Sequence, residues 1–250
     1  MNQRMNEILL KFFRFQSWPQ KKDWLPQWQA HRGHCQEGAR ENTLASLQAA
    51  KVKKFEMAEI DVRLSADGIP VLAHDQTLSR LVGVDKKVSS MTARELEEYD
   101  FPTLEQVLKN KNRPGKINIE IKNDDSFNLH LEQKIIQVIK ACKKSDDVMV
   151  SSFNPFSLIP FAKDLSEIPR ALLIEQDWVA SLSYLRLAGS WVAQPHMVNW
   201  PQGLLNRRFV QFLKAGGVPV AVWTVNDNQR AQELLSWGVD SVITDRILPQ

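Results

Sequence analysis

The sequence predicts an α/β fold, a (β/α)8 TIM barrel with a short insertion after the second strand. Strand-like and helix-like segments alternate from residue 27 onward, and eight strands are expected. Strands that are separated by helices pair in parallel through right-handed crossovers, and 250 residues suit one such barrel. The predicted strands are 27–33, 55–64, 116–122, 148–153, 169–174, 191–198, 218–225 and 241–245.

Helices are expected between these strands, at 42–52, 129–143 and 228–237. After the second strand, Asp67-Gly68 indicates a turn, residues 69–73 a further short strand, and Thr92 the N-cap of a helix over 92–99. We interpret this stretch as an insertion within the second βα unit. An open doubly wound sheet is the alternative, but no glycine-rich phosphate loop follows the first strand.

Two regions are expected, an N-terminal extension over 1–26 that is helical and a barrel domain over 27–250. The net charge of +3 gives no argument for nucleic-acid binding, and the two cysteines have no metal-ligand spacing. Charged residues interrupt every apolar run near the N-terminus, which argues against a signal peptide, and no later run is long enough to span a membrane. These features predict a cytoplasmic protein.

Residues 8–15 are apolar with basic interruptions, a pattern typical of a short amphipathic helix. One interpretation packs this helix against the outside of the barrel or across its bottom. The alternative is reversible contact with a membrane surface through Lys11, Phe12 and Phe13.

Three carboxylates lie on two predicted strands. Side chains alternate along a strand, so Glu59 and Asp61 share one face, as do Glu120 and Lys122. Buried carboxylates that converge without a cation would repel one another and would be costly to bury. A hard divalent ion removes that cost, and oxygen ligands suit Mg²⁺ or Ca²⁺. The sequence therefore predicts one divalent metal ion held by Glu59, Asp61 and Glu120.

Two histidines end predicted strands on either side of the first carboxylate pair. His31 ends the first strand and His74 ends the strand of the insertion, at the barrel rim where active sites of this fold lie. Imidazoles can accept and donate protons near neutral pH. Arg32 and Lys122 add positive charge suited to phosphate oxygens.

Ten short motifs occur in order along residues 27–250, and together they resemble the glycerophosphodiester phosphodiesterase family. They are His31-Arg32-Gly33, Glu41-Asn42-Thr43, Glu59-Ile60-Asp61-Val62, Asp67-Gly68, His74-Asp75, Pro102-Thr103-Leu104-Glu105, Asn118-Ile119-Glu120-Ile121-Lys122, Ser151-Ser152-Phe153, Trp223-Thr224-Val225-Asn226, and Gly238-Val239-Asp240 to Thr244-Asp245. The family fold is a (β/α)8 barrel, in agreement with the alternation of elements.

The resemblance implies a role for each matching residue. His31 and His74 match the acid/base pair, neither of them binding the metal, and Arg32 and Lys122 match the phosphate-binding cations. The remaining matches are the metal ligands Glu59, Asp61 and Glu120, the supporting residues Glu41 and Asn42, and Trp223 as an apolar wall beside glycerol. Asn42 could instead cap the following helix, and Trp223 could be a plain core residue.

These assignments predict an enzyme that cleaves small glycerophosphodiesters to glycerol 3-phosphate and an alcohol. Two alternatives stay open. One is a lysophospholipase D that uses the same residues at a membrane, and the other is a non-catalytic barrel that binds a phosphodiester.

Overall fold

Eight parallel strands and one antiparallel strand form the sheet in the computed structural model, which describes residues 11–123, 125, 128–175 and 185–249. The strands are β1 (Trp28–His31), β2 (Met57–Leu64), β3 (Pro70–Leu72), β4 (Lys116–Ile121), β5 (Val148–Ser152), β6 (Arg170–Leu173), β7 (Met197–Pro201), β8 (Val220–Trp223) and β9 (Ser241–Thr244). The helices are α1 (Leu44–Val52), α2 (Ser79–Val82), α3 (Ala93–Glu97), α4 (Leu104–Lys109), α5 (His130–Cys142), α6 (Ile159–Asp164), α7 (Ser190–Ala193), α8 (Arg207–Ala215) and α9 (Asn228–Ser236).

The barrel closes because β1 pairs in parallel with both β2 and β9. The register sets His31 opposite Glu59 on β2, and Asp61 of β2 opposite Glu120 on β4. The closed (β/α)8 fold predicted from the sequence is confirmed. The helices predicted at 42–52, 129–143 and 228–237 correspond to α1, α5 and α9 within two residues at each end.

The sixth predicted strand, 191–198, is wrong in its position. Ser190–Ala193 form the short helix α7, and the strand begins only at Met197. Gln194 ends α7 with a left-handed backbone, φ 42°, and the following Pro195 cannot donate a backbone hydrogen bond. The short apolar run at 191–193 fits a helix or a strand equally well, so the sequence pattern does not distinguish these two structures.

The barrel interior contains an apolar floor and, above it, a belt of neutral polar side chains. Met57, Met149, Ala171, Met197 and Ala221 form the floor with Trp24, which comes from the N-terminal segment. The polar belt consists of Gln29, Asn118, Ser151 and Ser241. Its side chains bond in sequence: Ser151 Oγ donates to Asn118 Oδ1 (3.0 Å), Asn118 Nδ2 to Gln29 Oε1 (3.1 Å), and Gln29 Nε2 to Ser241 Oγ (2.9 Å).

The insertion after β2 has a small apolar core of its own, which includes Val71, Leu78, Met91, Leu96 and Phe101. The strand β3 pairs antiparallel with the end of β2, and α3 begins at the capping box of Thr92, as predicted. This pairing places His74, two residues after β3, above the carboxyl ends of the barrel strands.

The described part of the N-terminal extension packs against the barrel. Phe13 is buried in the main core, and its carbonyl oxygen accepts a hydrogen bond from Ser190 Oγ. Membrane contact through Phe13 is therefore wrong, because this ring faces the protein. Phe12, by contrast, is 56% exposed. Residues 8–10 of the predicted amphipathic helix lie outside the described residues. In the described ranges, no helix has the length and apolar character needed to cross a bilayer.

Candidate active site

A cavity of about 250 Å³ opens at the carboxyl ends of the barrel strands. One half of its wall carries charged side chains from β1, β2, β4 and the insertion, and the other half is largely apolar. The lining residues are His31, Arg32, Glu59, His74, Glu120, Lys122, Ser151, Phe153, Leu173, Asn199, Trp223, Thr224 and Ile243.

Three buried carboxylates meet beside this cavity and form the carboxylate triad of Glu59, Asp61 and Glu120. One oxygen from each lies within 4.8 Å of the others. Strand alternation places Glu59 and Asp61 on one face of β2, and the register with β4 brings Glu120 beside Asp61. The convergence predicted from the sequence is therefore present.

Two cations contact the triad from the sides. Lys122 Nζ lies 3.1 Å from Asp61 Oδ1 and also contacts Glu120, and Arg32 Nε lies 3.3 Å from Asp61 Oδ2. Asp61 is thus neutralised from both sides, whereas Glu59 accepts one hydrogen bond, from the backbone N–H of Arg32 to its Oε2 (3.1 Å).

Because the cations contact the three carboxyl groups unequally, the pKa values of these groups differ. Burial, together with the charge of Asp61, raises the pKa of Glu59 to about 8. Burial also raises the pKa of Glu120, with the Asp61 charge adding to the effect. Burial alone would raise the pKa of Asp61 too, but Lys122 and Arg32 hold it well below its usual value.

The triad fits a hard divalent cation. All of its donors are carboxylate oxygens, the ligand type that Mg²⁺ and Ca²⁺ prefer. Glu59 Oε1 is buried and has no hydrogen-bond partner among the described residues. A buried carboxylate oxygen without a partner is costly, and a bound cation would satisfy it.

His31 is held at the edge of the triad by the end of the last strand. Its Nδ1 lies 2.7 Å from Asp245 Oδ1, and its Nε2 lies 4.0 Å from Glu59 Oε2. Burial lowers the pKa of His31, but the Asp245 hydrogen bond and the Glu59 charge outweigh burial and raise it overall. The Asp245 contact fixes the ring and leaves Nε2 directed to the triad side.

His74 is held in the same way by its neighbour in the insertion. Its Nδ1 lies 2.7 Å from Asp75 Oδ1, and burial lowers the pKa of this ring. The pKa values of His31 and His74 are therefore shifted in opposite directions. Asp75 in turn accepts a bond from Arg80 Nε (2.5 Å), and Arg80 also bonds to Glu41, so the insertion is tied to the loop after β1.

Backbone geometry directs Arg32 toward the triad. Arg32 and Gly33 both have left-handed backbones, with φ 56° and 83°. A Cβ at Gly33 would come within 2.8 Å of the backbone carbon of Ser46, so only glycine fits there. The Arg32 guanidinium then donates to Glu41 Oε1 (3.0 Å) while its Nε faces Asp61, as noted above. Glu41 thus contacts Arg32 at the edge of the site and also bonds to Arg80.

Asn42 supports the triad and does not cap α1. Thr43 is the N-cap, with a capping box to Ser46. Asn42 has a left-handed backbone, φ 56°. Its side-chain amide bonds to both the carboxylate and the backbone of Asp61: Nδ2 donates to Asp61 Oδ2 (2.8 Å), and Oδ1 accepts from Asp61 N (3.0 Å). The capping alternative is wrong because these two bonds turn the side chain inward.

Aromatic and aliphatic side chains form the other half of the wall. Trp223 is half-buried and lines the cavity, so it is not a plain core residue. Its ring meets Phe153 edge-to-face at 5.6 Å, and its Nε1 donates to the carbonyl oxygen of Asn199 (3.3 Å). Leu173 and Ile243 complete this apolar half.

Four further residues lie in or beside the site, although the sequence pattern assigned them no role: Asp75, Phe153 and Asp245, which stand in the sequence motifs, and Arg80, which does not. Asp75 lies three residues after β3, the antiparallel strand of the insertion, and directly follows His74. Asp245 directly follows β9, at the carboxyl end of a barrel strand, a position that faces the active-site rim. Phe153 follows β5 in the same way. No sequence pattern pointed to Arg80, because it meets its partners Asp75 and Glu41 only once the insertion has folded.

Comparison with known proteins identifies the family. Residues 31–248 match the family model described as "Glycerophosphoryl diester phosphodiesterase family". A glycerophosphodiester phosphodiesterase of Caldanaerobacter subterraneus is 28% identical over 230 residues, covering 86% of this chain and 92% of that protein. The human lysophospholipase D GDPD1 is 25% identical over 288 residues, covering 95% and 89%.

A solved structure shares the fold closely. It is an Oleispira antarctica phosphodiesterase in complex with the product sn-glycerol-3-phosphate, 31% identical with a TM-score of 0.78, covering 89% of this chain and 94% of that one. Together with the match over nearly the whole barrel, this likeness shows that the chain belongs to the glycerophosphoryl diester phosphodiesterase family and is a phosphoric diester hydrolase.

Proposed function

We propose that this enzyme hydrolyses glycerophosphodiesters to glycerol 3-phosphate and an alcohol, with one divalent cation and two histidines as acid and base. The observation that carries the proposal is the carboxylate triad lying beside one cavity with two histidines, each fixed by a carboxylate on Nδ1. The product bound to the Oleispira relative has the chemistry expected for this reaction.

Glu59, Asp61 and Glu120 would hold the cation. When bound, Mg²⁺ or Ca²⁺ supplies a Lewis acid for a phosphate oxygen. The cation would also satisfy the buried Glu59 Oε1. Arg32 and Lys122 flank the same point and stabilise the negative charge that builds on the phosphate in the transition state.

The two histidines move the protons. One imidazole takes a proton from the attacking oxygen as that oxygen bonds to phosphorus. The other gives a proton to the alcohol oxygen whose bond to phosphorus breaks. Attack by water gives glycerol 3-phosphate directly, whereas attack by the glycerol 2-hydroxyl gives a cyclic phosphate that water opens in a second step. Asp245 and Asp75 hold the Nδ1 atoms, so the Nε2 atoms are the ones that exchange protons with substrate. Neither histidine is a cation ligand in this scheme.

A substrate panel tests the proposal. The purified enzyme is incubated with glycerophosphocholine or glycerophosphoethanolamine, with Mg²⁺, with Ca²⁺, or with a chelator, and the release of glycerol 3-phosphate is measured. Release that depends on the cation is expected. Release that persists unchanged in chelator would contradict the cation requirement, and no release under any condition would contradict the proposed reaction.

A lysophospholipase D at a lipid surface is the second candidate, supported by the human relative and by an exposed aromatic pair. Phe12 and Trp191 are 56% and 46% exposed, and their rings meet at 4.7 Å. Phe156, which lines a cleft adjoining the cavity, is also exposed. A lipid surface suits such side chains, with Lys11 beside them.

Two assays separate the candidates. Rates on glycerophosphocholine and on lysophosphatidylcholine are compared, and sedimentation with phosphatidylcholine vesicles measures membrane contact. If the second candidate holds, Phe12→Ala and Trp191→Ala reduce vesicle binding and the lysolipid rate, whereas Val52→Ala, at an exposed apolar position on α1, changes neither. Equal vesicle binding by all variants would remove the aromatic pair from the proposal.

The non-catalytic alternative is set aside. The chain belongs to a family of hydrolases, and both histidines and all three carboxylates are present in one site.

A further inference from the structure

Asn199 carries a fully buried side-chain amide that faces the active-site cavity and has no hydrogen-bond partner in the described part of the chain. Its exposed fraction is 0%, and neither its Nδ2 nor its Oδ1 has a partner among the described residues. Buried side-chain amides are nearly always paired, because an unpaired one costs stability. The contrast with Asn118 is direct: that amide is also 0% exposed, but its two side-chain atoms are both bonded within the polar belt.

Strand geometry directs Asn199 into the barrel. Its neighbours on β7, Val198 and Trp200, pack in the core between strands and helices, while Met197 belongs to the floor of the barrel interior. Alternation therefore turns Asn199 to the same side as Met197 but nearer the carboxyl end, where it lines the cavity. Its register partners, Leu173 and Ala221, are apolar.

The two halves of the cavity suit the two parts of one substrate. The charged half has the cations and carboxylates that a phosphate and its metal require. The other half is formed mainly by Phe153, Leu173, Trp223 and Ile243, and the hydroxyl of Ser151 is already donated to Asn118. A glycerol chain that extends from the phosphate would meet this apolar half, where its hydroxyls need a partner.

We propose that Asn199 is a substrate-binding residue that hydrogen-bonds a hydroxyl of the glycerol moiety and so selects glycerol phosphates over alkyl phosphates. The inference rests on the proposed function and adds the residue that recognises glycerol. A primary amide suits this task because it offers donors and an acceptor to a group that is itself both donor and acceptor. Selectivity follows because an alkyl group in the same place leaves the buried amide unpaired.

Two ligands and one substitution test the inference. Binding of sn-glycerol 3-phosphate and of propyl phosphate, which has the same three-carbon chain without hydroxyls, is measured by calorimetry with MgCl₂ present, on wild type and Asn199→Leu. The wild type is expected to prefer sn-glycerol 3-phosphate. Asn199→Leu should weaken that ligand about tenfold while leaving propyl phosphate unchanged or tighter, since one hydrogen bond is lost.

Stability gives an independent readout. Replacing an unpaired buried amide by an apolar side chain of similar size should leave the melting temperature equal or higher. Leu173→Ala is the matched control: it alters the same wall without touching the amide and should weaken both ligands alike. Asn199→Ala repeats the test in case leucine does not fit the space.

Each remaining outcome overturns the inference. Equal weakening of both ligands by Asn199→Leu and Asn199→Ala, no weakening of either, or loss of folding in both variants would show that the amide is structural. Failure of the proposed function is distinguishable, because it would appear as a wild type that binds sn-glycerol 3-phosphate selectively but releases none from any glycerophosphodiester.

Discussion

The polar belt and the carboxylate triad are both buried in the barrel interior, yet they are built on opposite principles. In the belt, Gln29, Asn118, Ser151 and Ser241 are neutral, and their side chains are linked by hydrogen bonds in sequence. In the triad, one oxygen from each of three acidic groups lies within 4.8 Å of the others, and Glu59 Oε1 has no hydrogen-bond partner among the residues described. Asn118 and Glu120 are only two residues apart on β4. Two residues along one strand, on the same face, thus separate a layer that supports the fold from a layer arranged for a ligand.

The two layers differ in what they cost the stability of the fold. A neutral polar layer costs little when every group is paired. Converging carboxylates are costly in the protein alone and become favourable only when a cation neutralises them. The difference can be tested by substitutions in either layer, and the expected effects range from loss of catalysis to small changes in rate.

The largest effect on kcat is expected when either of the two active-site histidines is replaced. His31→Ala and His74→Ala should each lower kcat by about 10²–10⁴-fold, because each removes one proton transfer. Glycerol 3-phosphate release is the measurement, with circular dichroism to verify folding. His130→Ala, an exposed histidine outside the cavity, should retain the wild-type rate. Full activity in either active-site variant would contradict the two-histidine scheme.

The pH dependence of cation binding is expected to be the next largest effect. The pKa of Glu59 is raised to about 8, so this group holds a proton at neutral pH and must lose it when a cation binds. The apparent Mg²⁺ or Ca²⁺ affinity should then rise by up to about tenfold per pH unit between pH 6 and 8. Calorimetry in buffers of different ionisation enthalpy counts the released proton.

The raised pKa of Glu59 also makes the free energy of unfolding depend on pH. Since the folded state holds the Glu59 proton more tightly than the unfolded chain, the contribution of Glu59 to the stability of the cation-free protein should fall as pH rises from 4.5 toward 8, measured as the difference between wild type and Glu59→Gln. Glu59→Gln should remove this loss and flatten the pH slope of cation binding. A cation affinity that stays constant from pH 6 to 8 would show that Glu59 is ionised before binding.

A small effect is expected for Arg80, which bridges Asp75 and Glu41 from outside the cavity. Its side chain is 48% exposed, so its ion pairs are screened by solvent. Arg80→Ala should lower kcat by about two- to fivefold through looser positioning of His74, with KM little changed. Arg94→Ala, on α3 of the same insertion, should have no effect on kcat. A loss as large as that of His74→Ala would give Arg80 a direct role in the reaction.

The sequence predicted the parts of the fold and site that depend on local pattern. Alternation along β2 and β4 placed the triad, and the barrel order brought His31 and His74 to one rim. Contacts between distant segments could not be predicted from the sequence pattern. Asp245 contacts His31 across 214 residues of sequence, and Arg80 contacts Glu41 across 39. The strand predicted at 191–198 was misplaced, because a short apolar run does not distinguish a helix from a strand. Of the two alternatives left open for Asn42, the structure excludes the cap, since Thr43 caps the helix and Asn42 bonds to Asp61.

We propose that the triad, unlike the belt, is arranged for a cation at the expense of stability. A matched pair of substitutions on β4 distinguishes the two layers. Melting temperatures of Asn118→Leu and Glu120→Gln are compared with wild type, without cation and with saturating Mg²⁺. Asn118→Leu should lower the melting temperature by roughly 2–10 °C in both conditions, because Gln29 and Ser151 lose their partners. Glu120→Gln should match or exceed wild type without cation and gain little from Mg²⁺, whereas wild type gains clearly. A Glu120→Gln variant that is destabilised like Asn118→Leu, or that Mg²⁺ stabilises as much as wild type, would contradict the account.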